Sequence, residues 1–297
     1  MKYIIITFLI LIILILLEMK RELSCFVKKE YTIRIKDLKK ERKAVFLSDM
    51  HNHVYGKDNC ELLDAIRKEN PDYIWIGGDM LVGKSGVSYQ TALAFVKKLP
   101  AICPVYYANG NHEQRMKEFQ ENYDLSYEDY KRELLEAGVF FLENNSVSFM
   151  WDEKKIKLTG LEIPLGCYLH WHKDDLKVEE IVERIGIKED CYEIILAHNP
   201  SFVDRYMKRG ADLILSGHLH GGIVRIPGIA GAISPSFDLF PKYSGDHYRE
   251  DNTDIVVSKG LGTHTFNIRL FNPAELIVLN FKSNTCIMND CDYKKRG

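Results

Sequence analysis

No two of the chain's seven cysteines are spaced as CxxC. Cys25, Cys60, Cys103, Cys167, Cys191, Cys286 and Cys291 are odd in number and scattered, which excludes a zinc ribbon and argues against a disulfide framework. That usage leans towards a reducing environment for the main domain. Net charge is nearly absent too: 40 Lys and Arg against 42 Asp and Glu leave −2. There is therefore no global electrostatic attraction to nucleic acid, and none is expected as a partner. No internal repeat appears, and no low-complexity linker follows residue 30. What remains is 297 residues with 46% hydrophobic content, enough for one large domain or two small ones.

Tyr3 to Leu17 carries no charge and lies between Lys2 and Glu18. As a helix this run spans roughly 22 Å at about 1.5 Å per residue, short of a hydrocarbon core of about 30 Å. Met19 and snorkelling Lys2 and Lys20 extend its reach. A secretory signal peptide has an apolar region of this length, but Glu18 to Cys25 contains no small-x-small cleavage site. Charges also separate the run from Leu23-Ser-Cys25, the wrong spacing for a lipoprotein. The expectation is an uncleaved single-pass anchor in the cell membrane over 1–19, a linker over 20–30, a main domain over 31–285 and a polar tail over 286–297. Lys20, Arg21, Lys28 and Lys29 outweigh Lys2 and the amino terminus, which by the positive-inside rule puts the main domain in the cytoplasm.

Five short apolar runs punctuate the main domain. Ala44-Val-Phe-Leu47 ends on Asp49 and His51. Tyr73 to Ile76 ends on Gly77-Gly-Asp79, and Pro104 to Ala108 on Asn109-Gly-Asn-His-Glu113. Tyr192 to Ala197 ends on His198, and Asp212 to Leu215 on Ser216-Gly-His-Leu-His220. Between them, helical spacing runs over Lys57 to Glu69 (stopped by Asn70-Pro71), about Ser88 to Lys98, about Glu113 to Ala137 and Lys173 to Lys188. Asp174 and Asp175 suit the start of the last helix. Tyr31 to Ile35 reads as an edge strand, Val139 to Phe149 and Lys155 to Leu161 as antiparallel strands, and Asp254 to Ser258 and Glu275 to Phe281 as the last two. Strand alternating with helix predicts an α/β layered domain.

Each run thus stops on residues able to bind metal, and in open α/β sheets ligands gather at the carboxyl ends of strands. An Asp and a His two apart also occur in ordinary strand-end turns; the repetition five times over is what points to a site. Asp49, His51, Asp79, Asn111, His112, His198, His218 and His220 offer only oxygen and nitrogen, which suits Mn, Fe, Zn, Ni or Co rather than an all-oxygen calcium cage. Eight side chains are too many for one tetrahedral ion and suit two divalent ions about 3.5–4 Å apart.

Asp49-x-His51, Gly78-Asp79, Gly110-Asn-His-Glu113, His198 and Gly217-His-x-His220 resemble, in order, the five motifs of the calcineurin-like metallophosphoesterases. Ala197-His-Asn-Pro200, Ser258-Lys-Gly-Leu-Gly262 and Arg269-Leu-Phe-Asn-Pro-Ala-Glu275 are similar to the membrane-associated YkuE/YaeI-like branch. The resemblance implies two packed mixed β-sheets flanked by helices, an αββα sandwich, here behind an N-terminal transmembrane helix. It implies one ion on Asp49, His51, Asp79 and His220, and a second on the bridging Asp79, Asn111, His198 and His218. His112 is then a catalytic residue beside the phosphoryl group rather than a ligand, and Glu113 an outer carboxylate orienting His112. The implied reaction is hydrolysis of a phosphoester or phosphodiester by a metal-bridging hydroxide.

Resemblance and anchor together favour a membrane-associated substrate, a phospholipid or a nucleotide-linked lipid such as UDP-diacylglucosamine. The alternative is a phosphodiesterase or nuclease specificity for a soluble substrate. A non-catalytic interaction module on the same fold would be expected to have lost ligands, and here every position is intact. Other histidines and aromatics carry less. His53 reads as a surface-loop residue. His170, Trp171 and His172 read as an exposed loop that could reach substrate, and Tyr243, His247 and Tyr248 in the glycine-rich segment likewise as an exposed loop that could form part of a lid. His264 and Arg269 flank the last motif, with Arg269 either a phosphate contact or a surface ion pair.

Overall fold

The apolar runs become strands because both of their faces are covered, which demands apolar side chains at every position rather than every second one. The computed structural model describes residues 1–169, 174–222, 224–225, 231–233, 241–263 and 267–283. Helix α1 (Lys2–Ser24) leads into β1 (Phe26–Ile35) and β2 (Arg42–Leu47). There follow α2 (Cys60–Glu69), β3 (Tyr73–Ile76), α3 (Gln90–Val96), β4 (Val105–Tyr107), α4 (Asn111–Glu118), α5 (Tyr127–Glu136) and β5 (Val139–Phe141). The second half comprises β6 (Asn145–Trp151), β7 (Lys154–Leu161), α6 (Val178–Ile185), β8 (Tyr192–Ala197), α7 (Val203–Arg209) and β9 (Leu213–Ser216). A short ribbon, β10 (Val224–Arg225) with β11 (Gly231–Ile233), precedes β12 (Asp246–Glu250), β13 (Thr253–Val257) and β14 (Ala274–Ser283).

Two six-stranded mixed sheets result, ordered β1-β14-β2-β3-β4-β5 and β12-β13-β9-β8-β7-β6. Within the first, β2, β3, β4 and β5 are parallel; within the second, β13, β9, β8 and β7 are. Alternate side chains sort into layers. Ala44 and Phe46 of β2 join Trp75, Trp151, Leu158, Leu196, Leu215 and Phe281 between the sheets. Val45 and Leu47 face Leu62, Ile66, Leu93, Phe95 and Tyr130 of the helices on the outer side. Ile195 and Ile214 meet Ile181, Val203 and Tyr206 of α6 and α7 on the opposite side. The layering is α/β/β/α, as expected. Each large side chain buried this way is worth about 1.5–3 kcal/mol of transfer free energy.

Several boundaries differ from the sequence reading. Residues 20–30, expected as a linker, are the end of α1 and the first half of β1. The helix continues because Glu18 and Arg21 pair one turn apart at 2.6 Å, and β1 starts early because Phe26 packs on Tyr55 and pairs with Ala274. The expected helix over 113–137 is two. A 3-10 turn at Gln120–Asn122 interrupts it, and Ser126 restarts it by accepting the Asp129 N–H at 3.2 Å. Val139 to Phe149 is likewise two strands in different sheets, β5 parallel to β4 and β6 antiparallel to β7, with Asn144 at φ 52 turning the chain between them. α6 begins only at Val178, so Asp174 and Asp175 precede it. His170, Trp171, His172, His264 and the tail over 286–297 lie outside the described residues.

Candidate metal centre

Because β2, β3 and β4 are parallel, as are β8 and β9, their carboxyl ends share a rim, and the loops there interlock. The Asp49 N–H donates to Gly78 O at 2.9 Å, His51 N–H to Asp79 O at 3.1 Å, Gly217 N–H to His198 O at 3.0 Å and Gly262 N–H to Asp49 O at 2.7 Å. The turns are tight enough that Asp49, His51, Asp79, His218 and His220 all take positive φ, between 45° and 68°. Left-handed backbone at a residue with a side chain costs of order 1–3 kcal/mol and persists where surrounding contacts fix it. Gly78, at φ 94, faces Gly110 so closely that a Cβ on Gly78 would strike the Gly110 backbone.

The side chains converge. Asp49, His51 and His220 form one group, His51, Asp79 and His112 a second, and Asp79, His198 and His218 a third; within each group the ligand atoms lie within 4.8 Å of one another. His51 Nε2 is 3.1 Å from His220 Nε2, and Asp79 Oδ2 is 3.1 Å from His198 Nε2 and 3.8 Å from His51 Nε2. Asp49 Oδ1 lies 3.4 Å from His220 Nε2 and 3.7 Å from His198 Nε2. Asn111 starts α4 beside them, its Oδ1 buried with no hydrogen-bond partner among the described residues.

Backbone carbonyls set the imidazoles. His198 Nδ1–H donates to Gly77 O at 2.6 Å and His220 Nδ1–H to Gly262 O at 3.2 Å, so each turns its Nε2 lone pair inward. Asp49 is held from behind, by the Ser48 hydroxyl on Oδ2 at 2.6 Å and the His218 N–H on Oδ1 at 2.9 Å. Asp79 Oδ1 accepts the His112 N–H at 2.9 Å, which leaves Oδ2 facing the imidazoles. His112 is oriented the other way round: its Nδ1 accepts the Gly83 N–H at 2.9 Å, so Nε2 carries the proton, 3.9 Å from Asp79 Oδ2.

Glu113 does not orient His112. Its Oε2 accepts the N–H groups of Asp79 at 2.8 Å and Gly110 at 3.0 Å; its Oε1 accepts Met80 N–H at 2.9 Å and the Tyr107 hydroxyl at 2.7 Å. It clamps the Asp79 turn onto the start of α4. Burial, with the Asp79 carboxylate adding, pushes Glu113 up to about 7 against those donors.

Charge in the cluster is lopsided. Burial pushes Asp49 up to about 6, opposed by His198 and reinforced by Asp79. Burial also works to raise Asp79, but His198 and His112 beside it hold it well below the usual carboxylate range. Burial would lower His198, yet the Asp79 and Asp49 carboxylates push it up to about 10. Two buried carboxylates thus draw positive charge to one point. Two ligands of a tetrahedral ion with bonds of about 2.0–2.1 Å lie about 3.4 Å apart. The donor separations, the unpartnered Asn111 oxygen and the carboxylate charge all fit bound cations.

Other sequence candidates fall elsewhere. His53 is half-buried beside the Tyr55 ring, at 4.6 Å. His247 pairs with Asp254 at 2.8 Å, and Tyr243 packs edge-on to Tyr248 in the outer core of the second sheet, so these three do not form a lid. Arg269 is neither a phosphate contact nor a surface ion pair. It is buried and donates to the carbonyls of Lys259, Gly260 and Gly262 at 2.7, 3.1 and 2.6 Å. Sequence reasoning missed Ser48, the Gly83 N–H and Tyr168, whose ring lies 5.1 Å from that of His218. None carries a signal in periodicity or spacing, since each acts through a loop approach.

A profile of calcineurin-like phosphoesterases matches residues 42–222. An uncharacterized metallophosphoesterase of Campylobacter jejuni, Cj0846, is 25% identical over 86% of this chain, which spans 63% of that protein's length. The uncharacterized metallophosphoesterase YkuE of Bacillus subtilis is 26% identical over 81% of this chain and 79% of its own. The phosphodiesterase YaeI of Escherichia coli is 23% identical over 80% of this chain and 81% of its own.

Proposed function

The chain belongs to the calcineurin-like phosphoesterase family of metal-dependent phosphoester hydrolases, and from that premise we propose that it cleaves phosphodiesters at a two-ion centre. Asp49, His51, Asp79 and His220 hold one divalent ion; Asp79, Asn111, His198 and His218 hold the other. The observation that carries this reading is Asp79 Oδ2, buried and ringed by His198, His51 and His112 at 3.1, 3.8 and 3.9 Å. Bound divalent ions supply Lewis acidity, lowering the pKa of water and offsetting phosphoryl charge. His112 does the proton work. Its Nε2–H, fixed by the Gly83 N–H on Nδ1, donates to a phosphoryl oxygen or to the departing alkoxide. Asn111 supplies a neutral oxygen, adding no negative charge next to an anionic substrate. The diester preference follows the name of the relative YaeI.

α1 extends this reading to where the substrate is met. It is long and apolar enough to cross a membrane, and its apolar side chains are exposed; a signal sequence shares that character. The 23-residue helix is about 34 Å long at 1.5 Å per residue, and its charge-free part, Tyr3 to Leu17, covers about 22 Å of a hydrocarbon core of about 30 Å. Its last turn abuts the loop of Asn272, beside the metal-site loops. We therefore place a lipid-linked phosphodiester ahead of a soluble one. The test is a panel of aryl phosphodiester, aryl phosphomonoester and micellar phospholipid with full-length protein in detergent, loaded with Mn, Fe, Zn, Ni or Co in turn. Chelator-sensitive diester cleavage, fastest on micelles, is expected. No turnover with any ion would overturn the activity; faster cleavage of soluble diesters would overturn the lipid preference alone.

A further inference from the structure

A carboxylate in the last turn of an exposed apolar helix belongs in water, yet Glu22 is 1% exposed. Its Oε2 accepts the backbone N–H of Asn272 at 3.0 Å. The Asn272 side-chain amide then uses both of its hydrogens, donating to His220 O at 2.6 Å and to Gly222 O at 2.7 Å. Both ends of this chain of contacts are strained. His220, Gly221 and Gly222 run at φ 50, 72 and 90, and Phe271, next to Asn272, sits at φ 54. Three successive left-handed residues cannot satisfy their carbonyls within regular structure, and Asn272 is what satisfies two of them.

From these contacts we propose that α1 is a retained part of the mature enzyme and that Glu22 is a positioning residue, holding the His220 turn in metal-binding geometry through Asn272. The inference rests on the proposed two-ion centre and deepens it. A tether need only be long; this one terminates on the far side of a ligand's own carbonyl. A cleaved leader could not act so, because removal of residues 1–24 takes Glu22 with it and leaves the Asn272 N–H without its acceptor.

The experiment is chelator competition on full-length protein in detergent micelles, which reads the affinity of each ion separately from turnover. Glu22→Ala should weaken one ion about tenfold, as loss of an outer hydrogen-bond partner does, and leave the other within about twofold, since His220 serves only one site. Glu22→Gln, which keeps an acceptor oxygen for Asn272, should restore the affinity. Lys20→Ala, an exposed position on the same turn of α1, should match the wild type. Asn272→Ala should weaken the same ion, and the double variant should be no worse than Asn272→Ala alone. Intact mass of the purified chain should include α1. Wild-type affinity in Glu22→Ala, additive losses in the double variant, or a mature chain lacking α1 that still holds both ions tightly would overturn the inference. If the wild type itself binds fewer than two ions, the proposed function falls first.

Discussion

Replacing Glu113 by Gln changes one oxygen into an NH2 group and tests how the centre is held together. The carboxylate accepts four close donors: Asp79 and Gly110 N–H on one oxygen, Met80 N–H and the Tyr107 hydroxyl on the other. In its better orientation the amide keeps its oxygen on Asp79 and Gly110. Tyr107 then turns its hydroxyl towards Tyr130, 3.2 Å away, and accepts from the new NH2. Met80 N–H has no such freedom and is left buried without an acceptor, at a cost of about 1–3 kcal/mol. Loss of charge weakens the two surviving bonds, but it also removes the burial penalty that raises Glu113 to about 7, so the unpartnered Met80 N–H sets the cost. The expected loss is about 1–3 kcal/mol, a sizeable share of a typical stability of about 5–15 kcal/mol. Urea unfolding of the metal-free protein reads it directly. Glu113→Ala, which removes all four acceptor contacts, should cost more. A Glu113→Gln variant within about 0.5 kcal/mol of wild type would refute the reasoning, because surface-like changes are of that size.

Three further outcomes follow from the same contacts. His112→Ala should retain both ions and lose about 10²–10⁴ in rate; loss of metal instead would make His112 a ligand. Gly78→Ala forces a side chain into left-handed backbone against Gly110 and should destabilise by about 2–5 kcal/mol, read as a fall in melting temperature; an unchanged midpoint would show that the loop yields. Burial raises Glu143, but Lys131 at 2.7 Å, the Tyr127 hydroxyl and Lys117 hold it below the usual carboxylate range. A depressed folded value contributes stability above the unfolded value near 4.5 and loses it as pH falls through the lower folded one. Unfolding free energy should therefore drop below about pH 4.5, and Glu143→Gln should flatten that slope. A slope unchanged in the variant would remove Glu143 from the account.

The strands and the side chains gathered at their carboxyl ends were legible because strands covered on both faces read as unbroken apolar runs, and because each of these runs stops on Asp, His or Asn. Where the reading failed, the deciding contacts were long-range. Val139 to Phe149 looks like one strand, and only the packing of β5 on β4 and of β6 on β7 divides it between sheets. The Ser126-x-x-Asp129 cap that splits α4 from α5 is the exception, a local signal masked by the charges around it. Arg269 and Glu113 have the residue types of surface ion-pairers, and nothing in their neighbours announces that each is buried to gather backbone groups, Arg269 from the loop just before it and Glu113 from the distant Asp79 turn. The positive φ at five site residues is equally silent in sequence, since no glycine marks it.

The central claim is a two-ion centre shared at Asp79, and metal content per chain tests it most directly. Full-length protein, Asp79→Ala and His198→Ala, each loaded with divalent ion, desalted and measured by elemental mass spectrometry against protein concentration, should give about two, close to none and about one ion per chain, as expected for a bridging and a single-site ligand. Two ions retained by Asp79→Ala, or fewer than about two in the wild type, would contradict the account.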